Sequence, residues 1–270
     1  MSNQNPSLSA LQSEVTGILA KNVKSNRDVA RGITIIENSL GIRLVVESSL
    51  QVSDESSCCR IGITGSPGVG KSSLVNSLLN FIDLDKTKVA VIAVDPSSRK
   101  TSGALLADRI RVSDNSIFDK IYFRSLASRG SYGGLVQNIN QIIEFLGCCG
   151  FDLVLVETVG VGQNEVDIEN AVDILIHVVD SKVGDSMQIA KAGVMEIGDI
   201  FFVNKIDMGL NSRYIEELTT LAHLQKKHLN PSEAIISGST ITNEGIPQII
   251  DLISRLTSTD VFLRGIVDHE

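Results

Sequence analysis

The sequence predicts an α/β protein with a mainly parallel β-sheet and helices on both of its faces. Apolar segments of strand length alternate with segments of helical periodicity along most of the 270 residues. These apolar segments are rich in Val, Ile and Leu, as expected for parallel strands that are buried on both faces. Hydrophobic residues make up 43% of the chain but aromatic residues only 4%, so we expect an aliphatic core.

Seven apolar segments are predicted strands, and six periodic segments are predicted helices. In the helix after residue 71, for example, Leu74, Val75 and Leu78 recur at three- and four-residue spacing and give one apolar face. The predicted strands are 60–64, 88–94, 121–124, 153–157, 174–180, 200–204 and 234–237. The predicted helices are 26–38, 71–82, 135–146, 187–192, 214–227 and 246–256.

A glycine-rich segment, Gly-Ser-Pro-Gly-Val-Gly-Lys-Ser at 65–72, joins the first predicted strand to the second predicted helix. Its glycines let backbone N–H groups surround phosphate oxygens at a helix N-terminus. Lys71 is placed to reach the β- and γ-phosphates, and the Ser72 hydroxyl to bind Mg²⁺. The segment predicts a P-loop NTPase. The expected phosphate-binding residues are Gly65, Ser66, Pro67, Gly68, Val69, Gly70, Lys71, Ser72 and Ser73.

A second motif, Asn-Lys-Ile-Asp at 204–207, directly follows the predicted strand 200–204. The Asp207 carboxylate can accept hydrogen bonds from N1–H and the amino group of guanine, a donor pair that adenine lacks. Asn204 would connect the base-binding loops, and the Lys205 stem would lie along the base plane. Ser237, Gly238 and Ser239, at the end of the last predicted strand, fit a further base-contacting loop.

Three acidic residues are candidate Mg²⁺ ligands near Ser72, because this ion prefers hard oxygen ligands. Asp95 and Glu157 each end a predicted strand, and Asp108 follows in a loop or helix. Glu157 has the position of a Walker B acid, and Lys71, Asp95 and Glu157 are the candidate catalytic residues. The glycine-rich segment after Glu157 predicts a loop that rearranges when the Gly160 amide bonds a γ-phosphate.

The formal net charge of −8 and a pI near 5.1 argue against nucleic acid or an anionic membrane as a partner. We therefore expect a cytoplasmic protein, with an organelle matrix as the alternative. The four cysteines form two adjacent pairs, 58–59 and 148–149, which fit neither a disulfide framework nor a standard zinc spacing. We interpret them as buried thiols, with joint metal binding as the alternative.

Five segments together resemble the methylmalonyl-CoA mutase-associated GTPases, the MeaB/ArgK family of the SIMIBI class. They are 62–72, 93–98, 129–135, 156–163 and 204–207. The most specific are Asp-Pro-Ser-Ser at 95–98 and Glu-Thr-Val-Gly-Val-Gly-Gln at 157–163. The resemblance implies a Mg²⁺ environment and a partner-contacting switch at 184–191. The residues that match the family's Mg²⁺ environment are Ser72, Asp95, Asp108 and Glu157.

The resemblance also implies a function. Members of the family hydrolyse GTP to GDP as chaperones of an adenosylcobalamin-dependent acyl-CoA mutase, gating cofactor loading and protecting the mutase. We therefore expect GTP, GDP and Mg²⁺ as ligands and slow turnover that rises with the mutase. The expected organisation is a helical extension over 1–57, a P-loop GTPase domain over 58–258 and a short tail over 259–270. The family's dimerisation arm is longer than this tail, so a homodimer is an open expectation.

Three alternatives remain at this stage. A nickel-delivery GTPase would share the framework, but it needs clustered soft or imidazole ligands, whereas the histidines here are scattered. His177 lies within an apolar strand, so we expect it to be a hydrogen-bonded core histidine. A small-molecule kinase on the same loop would leave Asp207 without a purpose. A nucleotide-binding module without turnover is disfavoured, because Lys71 and the three candidate carboxylates are all present. The identity of the mutase, the oligomeric state and the water-positioning residue are open.

Overall fold

Seven strands of the computed structural model lie side by side in one sheet, and every neighbouring pair is parallel. The structure describes residues 8–22, 24–39, 58–95, 120–127, 134–158, 168–182, 198–223 and 231–257. The strands are β1 (Cys59–Thr64), β2 (Val89–Asp95), β3 (Ile121–Ala127), β4 (Leu153–Glu157), β5 (Ile174–Asp180), β6 (Ile200–Asn204) and β7 (Ile235–Ser237). Their order in the sheet is β3-β2-β4-β1-β5-β6-β7.

The strand order determines which residues meet at the functional edge of the sheet. β1 lies between β4 and β5, and β6 lies on the far side of β5. Because all strands are parallel, their last residues gather at one edge, where ligands of open α/β sheets bind. Thr64, Glu157, Asp180 and Asn204 end these four strands.

Helices cover both faces of this sheet. They are α1 (Leu8–Leu19), α2 (Asn26–Asn38), α3 (Lys71–Asn80), α4 (Gly134–Cys148), α5 (Ser212–His223), the short α6 (Pro231–Ala234) and α7 (Ile246–Thr257), with a 3₁₀ turn at Ile206–Met208. One aliphatic cluster joins α3 and α7 to one face of the sheet. A second cluster joins α1, α2 and α4 to the other face, where α5 also packs, on β5 and β6.

The helices α1 and α2 pack together and on α4. Ser25 begins α2 with a reciprocal capping box, in which it accepts a hydrogen bond from Asp28 N–H while the Asp28 carboxylate accepts one from Ser25 N–H. A Cβ atom at Gly32 would lie 2.1 Å from the Phe145 ring, so glycine lets α2 approach α4 closely. No helix within the described part of the chain is long and apolar enough to cross a bilayer.

The prediction of a mainly parallel α/β fold is confirmed, and several element bounds coincide with the predicted ones. The strands 153–157, 174–180 and 200–204 and the helix 26–38 are observed with the predicted bounds. The strand predicted at 121–124 continues to Ala127, and α1 was not predicted as an element. The helix predicted at 187–192 lies outside the described residues.

Candidate nucleotide-binding site

The glycine-rich segment forms the turn between β1 and α3, and its backbone needs glycine at two tightly packed positions. Gly65 has a φ of 138° and Gly70 a φ of 104°, both in the region that favours glycine. A Cβ atom would lie 2.2 Å from the Val178 carbonyl oxygen at Gly65 and 2.3 Å from Asn204 Nδ2 at Gly70. Residues 66–68 between them are exposed. The turn therefore presents backbone to solvent above the first turn of α3, where Ser73 is also exposed.

The Lys71 side chain bends back over this turn. Its ammonium donates hydrogen bonds of 2.6 Å to the Gly65 carbonyl and 3.0 Å to the Ser66 carbonyl. Lys71 is 7% exposed, so its charge is held inside the loop. A buried ammonium beside the N-terminus of α3 gives the loop a positive field suited to an anionic ligand.

Ser72 and Glu157 meet at the same end of the site. The Ser72 hydroxyl donates a 2.6 Å hydrogen bond to Glu157 Oε1, and Glu157 is 8% exposed. A hydroxyl and a carboxylate oxygen in contact are hard donors of the kind that Mg²⁺ prefers, so these residues fit the ion. Asp95 ends β2 next to β4, but its side chain is outside the description, as are Asp108 and Gly160.

The motif at 204–207, which the sequence predicts to recognise guanine and which we call the guanine motif, begins at a buried amide. Asn204 is 1% exposed; its Nδ2 donates a 2.8 Å hydrogen bond to the Val69 carbonyl, and its Oδ1 accepts a 3.0 Å bond from Thr240 N–H. One side chain thus connects the phosphate loop to the loop after β7. Lys205 follows with a φ of 69°, and Asp207 lies exposed on the 3₁₀ turn.

The segment 237–239 lies beside this motif. Gly238 N–H donates to the Val203 carbonyl at 2.9 Å, and the Gly238 carbonyl accepts from Ile206 N–H at 3.2 Å. Ser239 is 1% exposed and its Oγ accepts from Ile241 N–H and Thr242 N–H, which shapes the following turn. The structure therefore brings the predicted base-contacting loop at 237–239 next to the guanine motif.

Three residues of this region were not identified from the sequence. Thr240 bonds Asn204 through its N–H, and its carbonyl accepts a 3.3 Å bond from the Ser77 hydroxyl of α3. Asp180 and Ser181, at the end of β5, contact Lys205 by side-chain hydrogen bonds. Asp180 ends an apolar strand and Ser181 directly follows it, which was the available signal, but no motif marks either residue.

His177 lies in β5 under the phosphate loop. It is 4% exposed and packs against Phe201 with ring centroids 5.9 Å apart. Burial, with the positive charge of Lys71, lowers the pKa of His177 to about 4, so the imidazole is neutral at physiological pH. Its Nδ1 has no hydrogen-bond partner within the described residues. The predicted core position is confirmed, but in the described part of the structure the hydrogen bond predicted for this histidine is not observed at Nδ1.

None of the four cysteines is in a disulfide, and they lie at the end of the sheet opposite the phosphate loop. Burial raises the pKa of Cys58 and of Cys149 to about 12, and it also raises the pKa of Cys148. Such thiols stay protonated at neutral pH, whereas metal ligation needs thiolates. In the part of the chain that the structure describes, no three His, Cys, Asp or Glu side chains are grouped to hold a metal ion.

Solved structures with a similar fold include a LAO/AO transport system kinase and the hydrogenase maturation factor HypB from Archaeoglobus fulgidus. The first has a TM-score of 0.62 and 24% identity over 94% of this chain and 77% of its own. The second has a TM-score of 0.55 and 19% identity over 91% of this chain and 99% of its own. At these identities the likeness shows the shared P-loop α/β fold.

Sequence relatives give a closer assignment. A putative GTPase from Pyrococcus horikoshii is 40% identical over 84% of this chain and 72% of its own length. The GTPase ArgK from Escherichia coli is 35% identical over 74% of this chain and 63% of its own length. The family model of the methylmalonyl-CoA mutase-associated GTPase MeaB matches residues 29–264. The chain therefore belongs to the MeaB family of methylmalonyl-CoA mutase-associated GTPases.

Proposed function

We propose that this protein is a Mg²⁺-dependent GTPase that acts as a chaperone of an adenosylcobalamin-dependent acyl-CoA mutase. The observation that carries the nucleotide assignment is the Asn204 amide, which bonds the phosphate loop at Val69 and the loop after β7 at Thr240. This bridge holds the guanine motif at a fixed place relative to the phosphate loop. Asp207 would then accept the hydrogen bonds of the guanine edge.

The residues around the phosphate loop support the proposed hydrolysis of bound GTP. The Lys71 ammonium would move from the loop carbonyls to the β- and γ-phosphates, where it stabilises charge in the transition state. Bound Mg²⁺ would neutralise phosphate charge beside Ser72, Asp95, Asp108 and Glu157. Ser72 and Glu157 already touch through a 2.6 Å hydrogen bond. The Gly160 amide would bond the γ-phosphate and change the conformation of its loop on hydrolysis.

Family membership supports the proposed partner. A relative from Caenorhabditis elegans, named a mitochondrial homologue of methylmalonic aciduria type A, is 37% identical over 57% of this chain and 39% of its own length. We propose that GTP binding and hydrolysis gate the loading of adenosylcobalamin onto the mutase and protect the mutase from inactivation. The segment 184–191 is the proposed contact with the mutase.

The test compares GTP with ATP and the wild type with Asp207→Asn. Affinity and turnover are measured with Mg²⁺, first alone and then with a purified adenosylcobalamin-dependent mutase. We expect a preference for GTP, slow turnover alone and faster turnover with the mutase. Asp207→Asn should shift preference toward xanthosine triphosphate, because an amide can donate to the additional oxygen of xanthine. Equal use of ATP would refute the base assignment, and unaltered turnover with a cognate mutase would refute the chaperone role.

A further inference from the structure

The end of β5 lies beside the guanine motif and contributes two side chains to it. Asp180 is the register partner of Asn204 across the β5–β6 pair. The next residue, Ser181, is fully buried, and its N–H donates a 2.9 Å hydrogen bond to the Asn204 carbonyl. These contacts extend the β5–β6 pairing beyond the sheet and align β5 with the first residues of the guanine motif.

Ser181 holds the backbone of the guanine motif. Its hydroxyl lies 2.9 Å from the Lys205 carbonyl and 2.7 Å from the Gly209 carbonyl, and it shares its hydrogen between them. Lys205 has a left-handed backbone with a φ of 69°, which is unfavourable for a residue with a side chain. The hydrogen bond from Ser181 stabilises this conformation, and the conformation directs the Lys205 side chain toward the phosphate loop.

Asp180 binds the ammonium end of the Lys205 side chain. The Lys205 ammonium donates 2.7 Å hydrogen bonds to Asp180 Oδ2 and to the Gly68 carbonyl of the phosphate loop. The second oxygen, Oδ1, accepts a 2.9 Å bond from Lys182 N–H, which fixes the carboxylate itself. Lys205 is therefore restrained at its carbonyl by Ser181 and at its ammonium by Asp180 and Gly68.

We propose that Asp180 is a positioning residue for guanine recognition, whose carboxylate holds the Lys205 ammonium against the Gly68 carbonyl so that the lysine stem forms one wall of the base pocket. The inference rests on the proposed GTP binding. It adds to that proposal the residue that positions the Lys205 side chain. The base contacts the apolar stem, and the charged end is neutralised outside the pocket.

The charge of Asp180 is needed for this role. The side chains of Asp180 and Lys205 are 15% and 30% exposed, so the pair is partly shielded from water and interacts more strongly than an exposed pair. Burial raises the pKa of Asp180, but hydrogen bonds from the Lys205 ammonium and Lys182 N–H outweigh it and lower that pKa overall. The carboxylate is therefore ionised at neutral pH. Without it, the ammonium keeps one neutral acceptor at Gly68 and the stem is less restrained.

This arrangement predicts a selective effect on the base. Asp180 bonds Lys205, whereas the phosphate-binding groups of Lys71 and Ser72 are bonded to Gly65, Ser66 and Glu157. Loss of the Asp180 charge should accelerate release of a guanine nucleotide and leave the binding of a base-free polyphosphate unchanged. A general loosening of the fold would weaken both.

The experiment compares Asp180→Asn with Asp173→Asn in the full chain. Asp173 is a matched control, since its carboxylate pairs with Arg60 at 2.9 Å just before the start of β5, at the opposite edge of the sheet. The readouts are the dissociation rate of a fluorescent GDP analogue and the Kd of inorganic tripolyphosphate. We expect dissociation to be about tenfold faster in Asp180→Asn, the size of coupling found between contacting charged groups. Tripolyphosphate binding should not change, and Asp173→Asn should resemble the wild type.

Two further variants separate positioning from a structural role. Asp180→Glu keeps the charge and should restore most of the slow dissociation. In a Lys205→Met background, Asp180→Asn should have no additional effect, because the ammonium it positions is absent. A wild type that selects GTP while Asp180→Asn releases GDP at the wild-type rate would overturn the role of Asp180 alone. A wild type without guanine preference would overturn the proposed function and this inference together.

Discussion

On the base side of the candidate site, polar groups are bonded to one another across three loops. The Asn204 amide bonds Val69 and Thr240, and the Lys205 ammonium bonds Gly68 and Asp180. On the phosphate side, the polar groups are bonded within the loop or to each other. The Lys71 ammonium bonds the carbonyls of its own loop, and the Ser72 hydroxyl bonds Glu157.

The two sides therefore require different changes when nucleotide binds. The base side can keep its hydrogen bonds, so guanine would meet a preorganised surface and little binding energy would be spent on ordering it. On the phosphate side, the proposed function would require Lys71 and Ser72 to exchange their present partners for phosphate oxygens and Mg²⁺. In the proposed function, base selection would thus depend on a rigid arrangement, and phosphate binding on a rearrangement of side chains. Three predictions test this difference.

Lys71→Ala tests the phosphate side and should have the largest effect. It removes a buried cation whose proposed ligand carries several negative charges. Loss of one member of such a pair is expected to weaken GTP binding by about 4 kcal/mol, or about 1,000-fold in Kd. The measurement is GTP affinity by titration calorimetry with Mg²⁺ present.

The matched control for this prediction is Lys86→Ala. The Lys86 side chain is 82% exposed and pairs with Asp83, so its removal should leave GTP affinity unchanged. Retained affinity in Lys71→Ala would mean that the triphosphate binds elsewhere.

The pKa of His177 tests whether Lys71, on the phosphate side, keeps its buried positive charge in the absence of ligand. Its pKa is lowered to about 4 by burial and by Lys71, whereas an unfolded histidine titrates near 6.5. Protonation therefore favours the unfolded chain: stability is complete above pH 6.5 and falls as the pH decreases from 6.5 toward 4. The maximal loss is about 3 kcal/mol, since each pKa unit corresponds to about 1.4 kcal/mol.

The measurement is urea unfolding of the wild type and His177→Leu at neutral pH and at about pH 4.5. The variant lacks the titrating group, so it should lose less stability on acidification than the wild type. Equal losses in both proteins would contradict the low pKa. The Lys71→Ala protein should show an intermediate loss, because one cause of the shift is removed.

Asn204→Ala tests the base side and should have the smallest of the three effects, here on stability. It leaves the Val69 carbonyl and Thr240 N–H without the bonds that join the two loops. The free energy of unfolding should fall by about 2 kcal/mol, the penalty for an unsatisfied buried polar group. Thermal unfolding measures this change, and Asn80→Ala, at the exposed end of α3, is the control. An unaltered melting temperature would show that the base side is less rigid than the contacts indicate.

The sequence was most informative where a local pattern determines the structure. The strands 153–157, 174–180 and 200–204 are buried except at Asp180, so their apolar runs define their bounds. Contacts between distant segments gave no such signal. Thr240 meets Asn204 across 36 positions, and its role depends on how β6 and β7 pair. The left-handed backbone of Lys205 was equally hidden, because lysine seldom adopts it and Ser181 stabilises it.

The two hydrogen bonds made by the Asn204 side chain have a kinetic consequence. Val69 and Thr240 belong to loops that would contact opposite ends of the proposed ligand, and the buried Asn204 amide is bonded to both. Neither loop can open widely while that amide stays in place. Departure of base and phosphates should therefore follow as one concerted event with a single barrier. A protein that accelerates exchange would need to act at one loop to release the whole nucleotide.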